Sequence, residues 1–498
     1  MPADDTRVTP VNRASIDASG THVLYWMIGA RRTTHSIALD HALARAAELG
    51  RPLIVLEPLR VGYRWASDRM HAFVLQGMAD NAAAFAAAGI TYYPYVEPVA
   101  GAGKGLLAAL AETACLVITD EVPGFFQPRM VAAAGARLRV RLEQVDGNGL
   151  LPLRAATRAY PTAAVFRRHL QKTLAPFLLV RPAARPLAKP PKVAKGGVIP
   201  PAIVTRWPAA SPALLAATPA ALAALPIDHT VGPSPIRGGA VAAAAVLDDF
   251  IANKLERYGV DRNHPDQDAS SGLSPYLHFG HISAHEIAQR AWATADWDPS
   301  RVADAAVTGS REGWWGLPAP VESFMDELVT WRELGYGFCF HRDDYDQFSS
   351  LPEWAQKTLM DHASDPRPHA YGLRELERAE TADPVWNAAQ RQLVAEGRIH
   401  NYLRMLWGKK ILEWSPSPQA ALAVLIELNN KYALDGRDPN SYSGIFWTLG
   451  RFDRPWAPQR PVFGCIRFMS SASTLKKLRL KGYLARWSGT PPPAQLAL

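Results

Sequence analysis

Three tryptophans, Trp386, Trp407 and Trp414, stand in the stretch WNAAQRQLVAEGRIHNYLRMLWGKKILEW. Trp407 and Trp414 are seven residues apart in what reads as one helix, and a rise of about 1.5 Å per residue separates them by roughly 10 Å along one face. Indole is large and easily oxidised, and Arg404, Met405, Lys409 and Lys410 stand beside these rings. An aromatic stripe at helical spacing is first of all a packed core face. In DELVTWREL, Glu327 and Trp331 at i and i+4 put a carboxyl and an indole on one helix face. The plain alternative is a packed aromatic next to a solvated acid. In SSGLSPYLHFGHIS, small hydroxylic residues and glycine precede a helix start at Ser274-Pro275. Free amides at such a start can take a phosphate, and equally can be an ordinary cap. In LDGRDPNSYSGIFW, Asp435, Arg437, Asp438 and Asn440 gather in a turn that ends at Trp447. An Asp-Gly turn accounts for them without any chemistry.

The elements that must position these residues are mostly helical. From 240 to 487 long helical patterns dominate, and Trp314, Trp315, Trp331, Trp354, Trp386, Trp407, Trp414, Trp447 and Trp456 concentrate there. Residues 20–160 are different in kind. THVLYWMI, RPLIVLEPL, ITYYPYVEP, CLVITDEV and LRVRLEQVD read as strands, separated by the helical stretches HSIALDHALARAAELG, MHAFVLQGMADNAAAFAAAG and GKGLLAALAETA. Such alternation implies a doubly wound parallel-sheet α/β domain, with any pocket beyond the strands' carboxyl ends. No G-x-G-x-x-G or P-loop occurs in it, which argues against a dehydrogenase or ATPase. Residues 161–239, rich in Pro, Ala and Gly after 181, are expected to link this domain to an all-α C-terminal domain at 240–487.

At 498 residues and 48% hydrophobic, the chain can build large cores. No apolar run reaches the roughly 18 to 20 residues of a membrane helix. The polar start MPADDTRVTP lacks the apolar core of a secretory signal, so a cytoplasmic protein without a membrane partner is expected. Cys115, Cys339 and Cys465 are far apart in sequence, which argues against a disulfide framework and against a structural metal. A net charge of +8 fits both a nucleic-acid partner and the arginine usage of a GC-rich genome.

Taken together and in this order, SGLSPYLHFG, FMDELVTWREL, EWAQKTLMDHASDPRPHAYGLRELE, DPVWNAAQ, YLRMLWGKKILEW and LDGRDPNSYSGIFW resemble the photolyase/cryptochrome family, specifically the class II cyclobutane pyrimidine dimer photolyases. The resemblance spans at least residues 240–470. It implies the family's fold, FAD held in the helical domain, and light-driven repair of ultraviolet-damaged DNA by an electron from excited reduced flavin. It also implies that Trp407, Trp414 and Trp386 relay an electron to the flavin, with Trp386 supplied by the preceding helix. Tyr258, Ser271, Gly272, Leu273 and Ser274 would meet the phosphates. Arg404 and Asp435 would pair over the ring system, with Asn429 facing N5. A buried Arg and Asp are tolerated when paired, and an amide can serve a ring that changes protonation with redox state.

For the lesion, the resemblance points to Glu327, Trp331, Met405 and Trp447, with Tyr402, Arg262 and Asn263 at the edge. Aromatic and thioether surfaces suit a flat, uncharged base pair, and a carboxyl can hydrogen-bond it. Photolyases flip their target out of the duplex, which costs less for a damaged pair. Double- or single-stranded damaged DNA then becomes the partner of the positive charge, with TLKKLRLKGYLARW and Arg262 as phosphate contacts. A monomer is expected, and no metal is needed. Two other functions share parts of this set: a flavin photoreceptor without repair, and (6-4) photoproduct repair, for which His278 and His400 are available. One stretch departs from the class II pattern. GARRTTHSIALDHAL lacks the expected acid and amide after the first strand, so an antenna chromophore in the α/β domain has no residues assigned to it.

Overall fold

The computed structural model describes residues 6–179, 181–303 and 306–489. The first five residues of the polar start lie outside them. The chain forms two compact units: one of residues up to 157, 173–248 and 273–303, the other of 158–172, 249–272 and the residues beyond 303.

The first unit is built on six strands, β1 (Val8–Pro10), β2 (His22–Trp26), β3 (Leu53–Leu59), β4 (Thr91–Val96), β5 (Ala114–Asp120) and β6 (Leu142–Val145). Their order is β1-β6-β5-β2-β3-β4. β2 to β6 are mutually parallel, and β1 runs antiparallel to β6 at the edge. Every residue of β2 and of β5 is buried, as strands covered on both faces by crossover helices must be. The crossovers are α1 (Ile37–Leu49), α2 (Asp68–Ala88), α3 (Leu106–Ala111) and α4 (Gln127–Gly135). Ser36 caps α1 by accepting from the Leu39 amide, and Gly50 closes it in the left-handed conformation that glycine adopts without strain. The edge strand β1 was not expected; at three residues it is too short to show a period.

Two buried carboxylates lock the carboxyl ends of the strands. Asp120 accepts from the Tyr25 hydroxyl at 2.7 Å and from the amides of Ile28 and Gly29 at 2.8 and 2.7 Å. Glu57 accepts from Arg31 Nη1 at 2.9 Å, Asn81 Nδ2 at 2.9 Å and the Tyr92 hydroxyl at 2.7 Å. The atypical stretch after β2 is therefore structural: Arg31 neutralises Glu57, and Arg32 Nη1 donates to the Gly280 carbonyl at 3.1 Å. Gly280 has φ +72°, and a Cβ there would fall 1.8 Å from the Gly29 carbonyl oxygen, so only glycine fits. The Pro- and Ala-rich residues after 181 pack on this unit, with Leu215, Leu222 and Leu225 buried in one cluster with Leu75 and Met78 of α2.

In the second unit the elements used below are α5 (Ala163–Thr173), α6 (Ala319–Met325), α7 (Arg332–His341), α8 (Pro384–Glu396), α9 (Asn401–Trp414), α10 (Pro418–Tyr432), α11 (Pro439–Thr448), α12 (Ser471–Lys477) and α13 (Lys481–Trp487). Their starts carry the expected chemistry. Asp383, Ser417 and Asp438 cap α8, α10 and α11, each followed by proline in the first turn. Between α6 and α7, Asp326–Trp331 form a π-helical turn, with the Arg332 amide donating to the Glu327 carbonyl five residues back. α9 packs against α8, α10 and α11. Among the described residues, no helix is long and apolar enough to cross a membrane.

Among the buried charged residues of this unit, Lys409 is the most fully enclosed. Lys409 of α9 is fully buried; its Nζ donates to the Thr448 carbonyl at 2.7 Å and sits 4.8 Å from the Trp447 ring centroid. Burial pushes its amine down to about 7 from an ordinary 10.5. The unfolded chain binds that proton more tightly, so stability rises with pH from about 7 to 10.5, and below 7 the cost of the buried ammonium is full. Lys409→Met is expected to gain about 2 kcal/mol at pH 7, a gap that narrows in urea melts run towards pH 10. Asp120→Ala, by contrast, strands three donors and should lose about 3 kcal/mol or more in the same melts.

Candidate functional site

Helix α9 presents two opposed sets of side chains. At about 100° per residue, Tyr402, Met405 and Lys409 share one face, while Arg404, Trp407, Ile411 and Trp414 share the other. The contacts follow that division. Lys409 reaches Thr448 and Trp447 of α11, whereas Trp407 and Trp414 flank Trp386 of α8.

The three indoles make one continuous path, and its order is Trp407, Trp386, Trp414. The Trp386 ring is stacked on that of Trp407 with centroids 6.4 Å apart and planes 3° from parallel. It meets Trp414 edge-on at 5.4 Å. All three are buried. Their orientations are pinned by hydrogen bonds: Trp386 Nε1 donates to the Trp407 carbonyl at 3.0 Å, and Trp407 Nε1 to Gln390 Oε1 at 2.9 Å. Beyond Trp414 the half-buried Tyr371 ring stands edge-on at 5.1 Å.

Arg404 and Asp435 form a two-pronged pair, Nη1 to Oδ2 at 3.1 Å and Nη2 to Oδ1 at 2.8 Å. Arg404 Nε remains buried without a partner among the described residues. Asn429 of α10 is buried, its amide nitrogen donating to Ser441 Oγ at 2.9 Å and Asn430 Oδ1 at 3.1 Å. Asn430 in turn bonds the Tyr442 hydroxyl and the Arg437 amide. The other polar residues of that turn have structural work: Asp438 caps α11 and accepts from the Tyr336 hydroxyl at 2.9 Å. Of the acids in the turn, Asp435 is the one directed at Arg404.

Glu327, in the π turn, is paired with Arg262 Nη1. Its side chain is 28% exposed, and burial pushes its carboxyl above the usual range while Arg262 opposes the rise. Tyr258, one helical turn before Arg262, lies under that guanidinium, 5.3 Å from ring centroid to Cζ, and packs edge-on against Phe250 and Phe324. The structure thus groups Tyr258 with Arg262 and Glu327. The π turn has more residues per revolution than an α-helix, so Glu327 and Trp331 are not stacked on a common α-helical face. Trp331, Tyr402, Met405, Trp447 and Asn263 are all partly exposed. Trp447 is flanked by Lys409 and by Arg467, whose Cζ lies 5.7 Å from the ring centroid.

Ser271 and Gly272 end one segment of the helical unit, and Leu273 and Ser274 begin a segment of the sheet unit at the short helix Ser274–His278. His278 belongs to the sheet unit and His400 to the helical one; burial pushes His400 down to about 4, so it is neutral at pH 7. In the C-terminal run, Lys476, Lys477, Arg479 and Lys481 are exposed while Leu478, Leu480, Tyr483 and Trp487 are buried. Lys477 Nζ lies 5.5 Å from the Tyr402 ring centroid. Three residues escaped the sequence reading: Gln390, which orients Trp407; Tyr371, at the outer end of the indoles; and Arg167, which pairs with Asp326. For Gln390 the signal was available, since it lies one helical turn after Trp386.

No family model matches the chain. It is 33% identical over 488 residues to the deoxyribodipyrimidine photo-lyase of Methanothermobacter thermautotrophicus, which covers 97% of this chain and 98% of that one. To the enzyme of the same name from Oryza sativa it is 34% identical over 487 residues, 94% of this chain and 87% of the other. To that of Potorous tridactylus it is 33% identical over 460 residues, 91% and 79%. Among solved structures, a class III photolyase from Agrobacterium tumefaciens matches with a TM-score of 0.65 at 17% identity, over 94% of this chain and 86% of the other. A Synechocystis cryptochrome matches with a TM-score of 0.65 at 15% identity, over 94% and 88%. Those two likenesses concern fold alone. With relatives a third identical along most of their length, and with a sheet unit and a helical unit of matching fold, the chain belongs to the photolyase/cryptochrome family.

Proposed function

We propose that this protein repairs cyclobutane pyrimidine dimers in DNA under blue light, as a class II type photolyase carrying FAD. The observation that carries this reading is the division of α9: a stacked indole path on one face, and Tyr402 and Met405 with neighbouring Trp447 on the other. A photoreceptor needs the first face alone; an enzyme that binds a lesion also needs a surface such as the second.

The residues fit a flavin. Arg404 and Asp435 offer a paired, partly buried donor and acceptor set, and the spare buried Nε of Arg404 is a donor awaiting an acceptor. Asn429, held by Ser441 and Asn430, would face the ring system. When bound, the flavin supplies a one-electron donor that light can excite. Trp407, Trp386 and Trp414 carry an electron vacancy outward by hops between rings whose centroids are 6.4 and 5.4 Å apart. Glu327, whose carboxyl is made easier to protonate by burial, holds the lesion by hydrogen bonds and in its protonated form donates to the negative charge that repair places there. Trp331, Met405 and Trp447 supply the apolar surface for a flipped-out base pair, and Arg262, Asn263 and Tyr402 line its edge. Lys476, Lys477, Arg479 and Lys481 meet backbone phosphates, which makes binding fall as salt rises.

The direct test is repair of a dimer-containing oligonucleotide by the purified, flavin-loaded protein. Blue light is expected to remove the dimers and darkness to leave them; no light-dependent loss refutes the proposal. Trp407→Phe separates the two faces. It should abolish light-driven flavin reduction, followed by absorbance, yet spare repair by protein reduced chemically beforehand. Loss of both activities would remove Trp407 from the relay.

A further inference from the structure

A second arginine stands behind Glu327. Arg167, on α5, lies in a stretch that sequence alone suggests is connecting chain. Its guanidinium grips Asp326 by both edges, Nε to Oδ1 at 2.6 Å and Nη2 to Oδ2 at 2.8 Å. Arg167 is 8% and Asp326 5% exposed. α5 is itself tied down in the same unit: Gln171 Oε1 accepts from the Gly309 amide at 2.8 Å, and Arg168 Nε donates to the Thr308 carbonyl at 3.2 Å. Asp326 opens the π turn, and Glu327 is the next residue.

We propose that Arg167 is a positioning residue for Glu327: by holding Asp326 through both guanidinium edges it fixes the π turn and cancels the negative charge adjoining Glu327 in the chain. The proposal rests on the lesion-binding role given to Glu327 above. Two successive carboxylates disfavour one another's ionisation when neither is neutralised. Here each has its own guanidinium, Arg167 for Asp326 and Arg262 for Glu327. The charged and titratable groups facing Glu327 are Arg262 and Tyr258 from the segment 258–262, Asp326 from its own turn, and Arg167 from α5. The forked, two-edge contact needs arginine's planar geometry; a lysine would supply charge without fixing direction.

The test measures how the dark affinity of the flavin-loaded protein for a dimer-containing oligonucleotide depends on pH. The parent should show a midpoint that Glu327→Gln abolishes. In Arg167→Met, Asp326 becomes an unneutralised neighbour, so that midpoint should move up by about one pH unit. Combining Arg167→Met with Asp326→Asn removes both charges and should return it to the parental value, which a purely structural injury from losing Arg167 would not do. The proposal is overturned if the midpoint stays in place in Arg167→Met, if the double variant is displaced as far as the single one, or if a parent that binds the dimer has no Glu327-dependent midpoint. A parent that binds no dimer at any pH fails at the functional reading itself, and takes this proposal with it.

Discussion

Helix α9 has to bury nearly its whole circumference while carrying Arg404, Lys409 and Lys410, and the helical unit is arranged around that constraint. A helix buried all round normally reads as apolar on every face; this one is interrupted by cations at three positions. Each is compensated differently. Arg404 has a carboxylate matched to its fork. Lys410 reaches Glu413 at 2.8 Å and Asp383 at 3.6 Å. Lys409 has a carbonyl and an indole face and, among the described residues, no carboxylate within bonding distance, so its proton is held weakly. Because the cap of α8, the turn between α10 and α11, and α11 itself supply partners, the same packing that allows α9 to be buried also fixes where its indoles and its polar side chains point.

The sheet unit solves a related problem with fewer groups. Parallel strands end together, and the loops beyond them must return over polar backbone. Asp120 and Glu57 gather the loose donors there, three each. The stretch that departs from the class II pattern keeps an arginine at 31 to neutralise Glu57 and another at 32 to bind the Gly280 carbonyl. The departure is thus absorbed by local packing, and what it removes is a pair of side chains, not a piece of the framework.

Much of this framework was legible in the residues. The five apolar strands with helices between them needed no more than period and composition, because β2 and β5 are buried on both faces and show it as unbroken apolar runs. Caps such as Asp383-Pro384 and Asp438-Pro439 declare helix starts, since a cap bonds only two or three residues ahead. The edge strand β1 was invisible for the opposite reason: three residues carry no period, and its pairing with β6 lies far along the chain.

The site was legible only where chemistry and locality coincide. Trp407 and Trp414 share a helix, so their spacing could be computed, but their connection could not. The ring that joins them, Trp386, belongs to another helix, and its indole N–H is fixed by the carbonyl of Trp407, twenty-one positions on. The ion pairs are more distant still: Arg404 to Asp435 spans 31 residues, Arg262 to Glu327 spans 65 and Arg167 to Asp326 spans 159. For the first two, family resemblance supplied the residues, though not the link between Arg262 and Glu327. For Arg167 nothing did, because an arginine on a short amphipathic helix looks like any solvated one until the helix is docked. The π turn hid in the same way. It leaves no mark in DELVTWREL, where i and i+4 spacing suits an α-helix equally well, and within it two neighbouring acids find two different arginines. Side-chain types are thus enough to suggest what a site could do, while the field around its central carboxyl is set by partners that only the folded chain brings near.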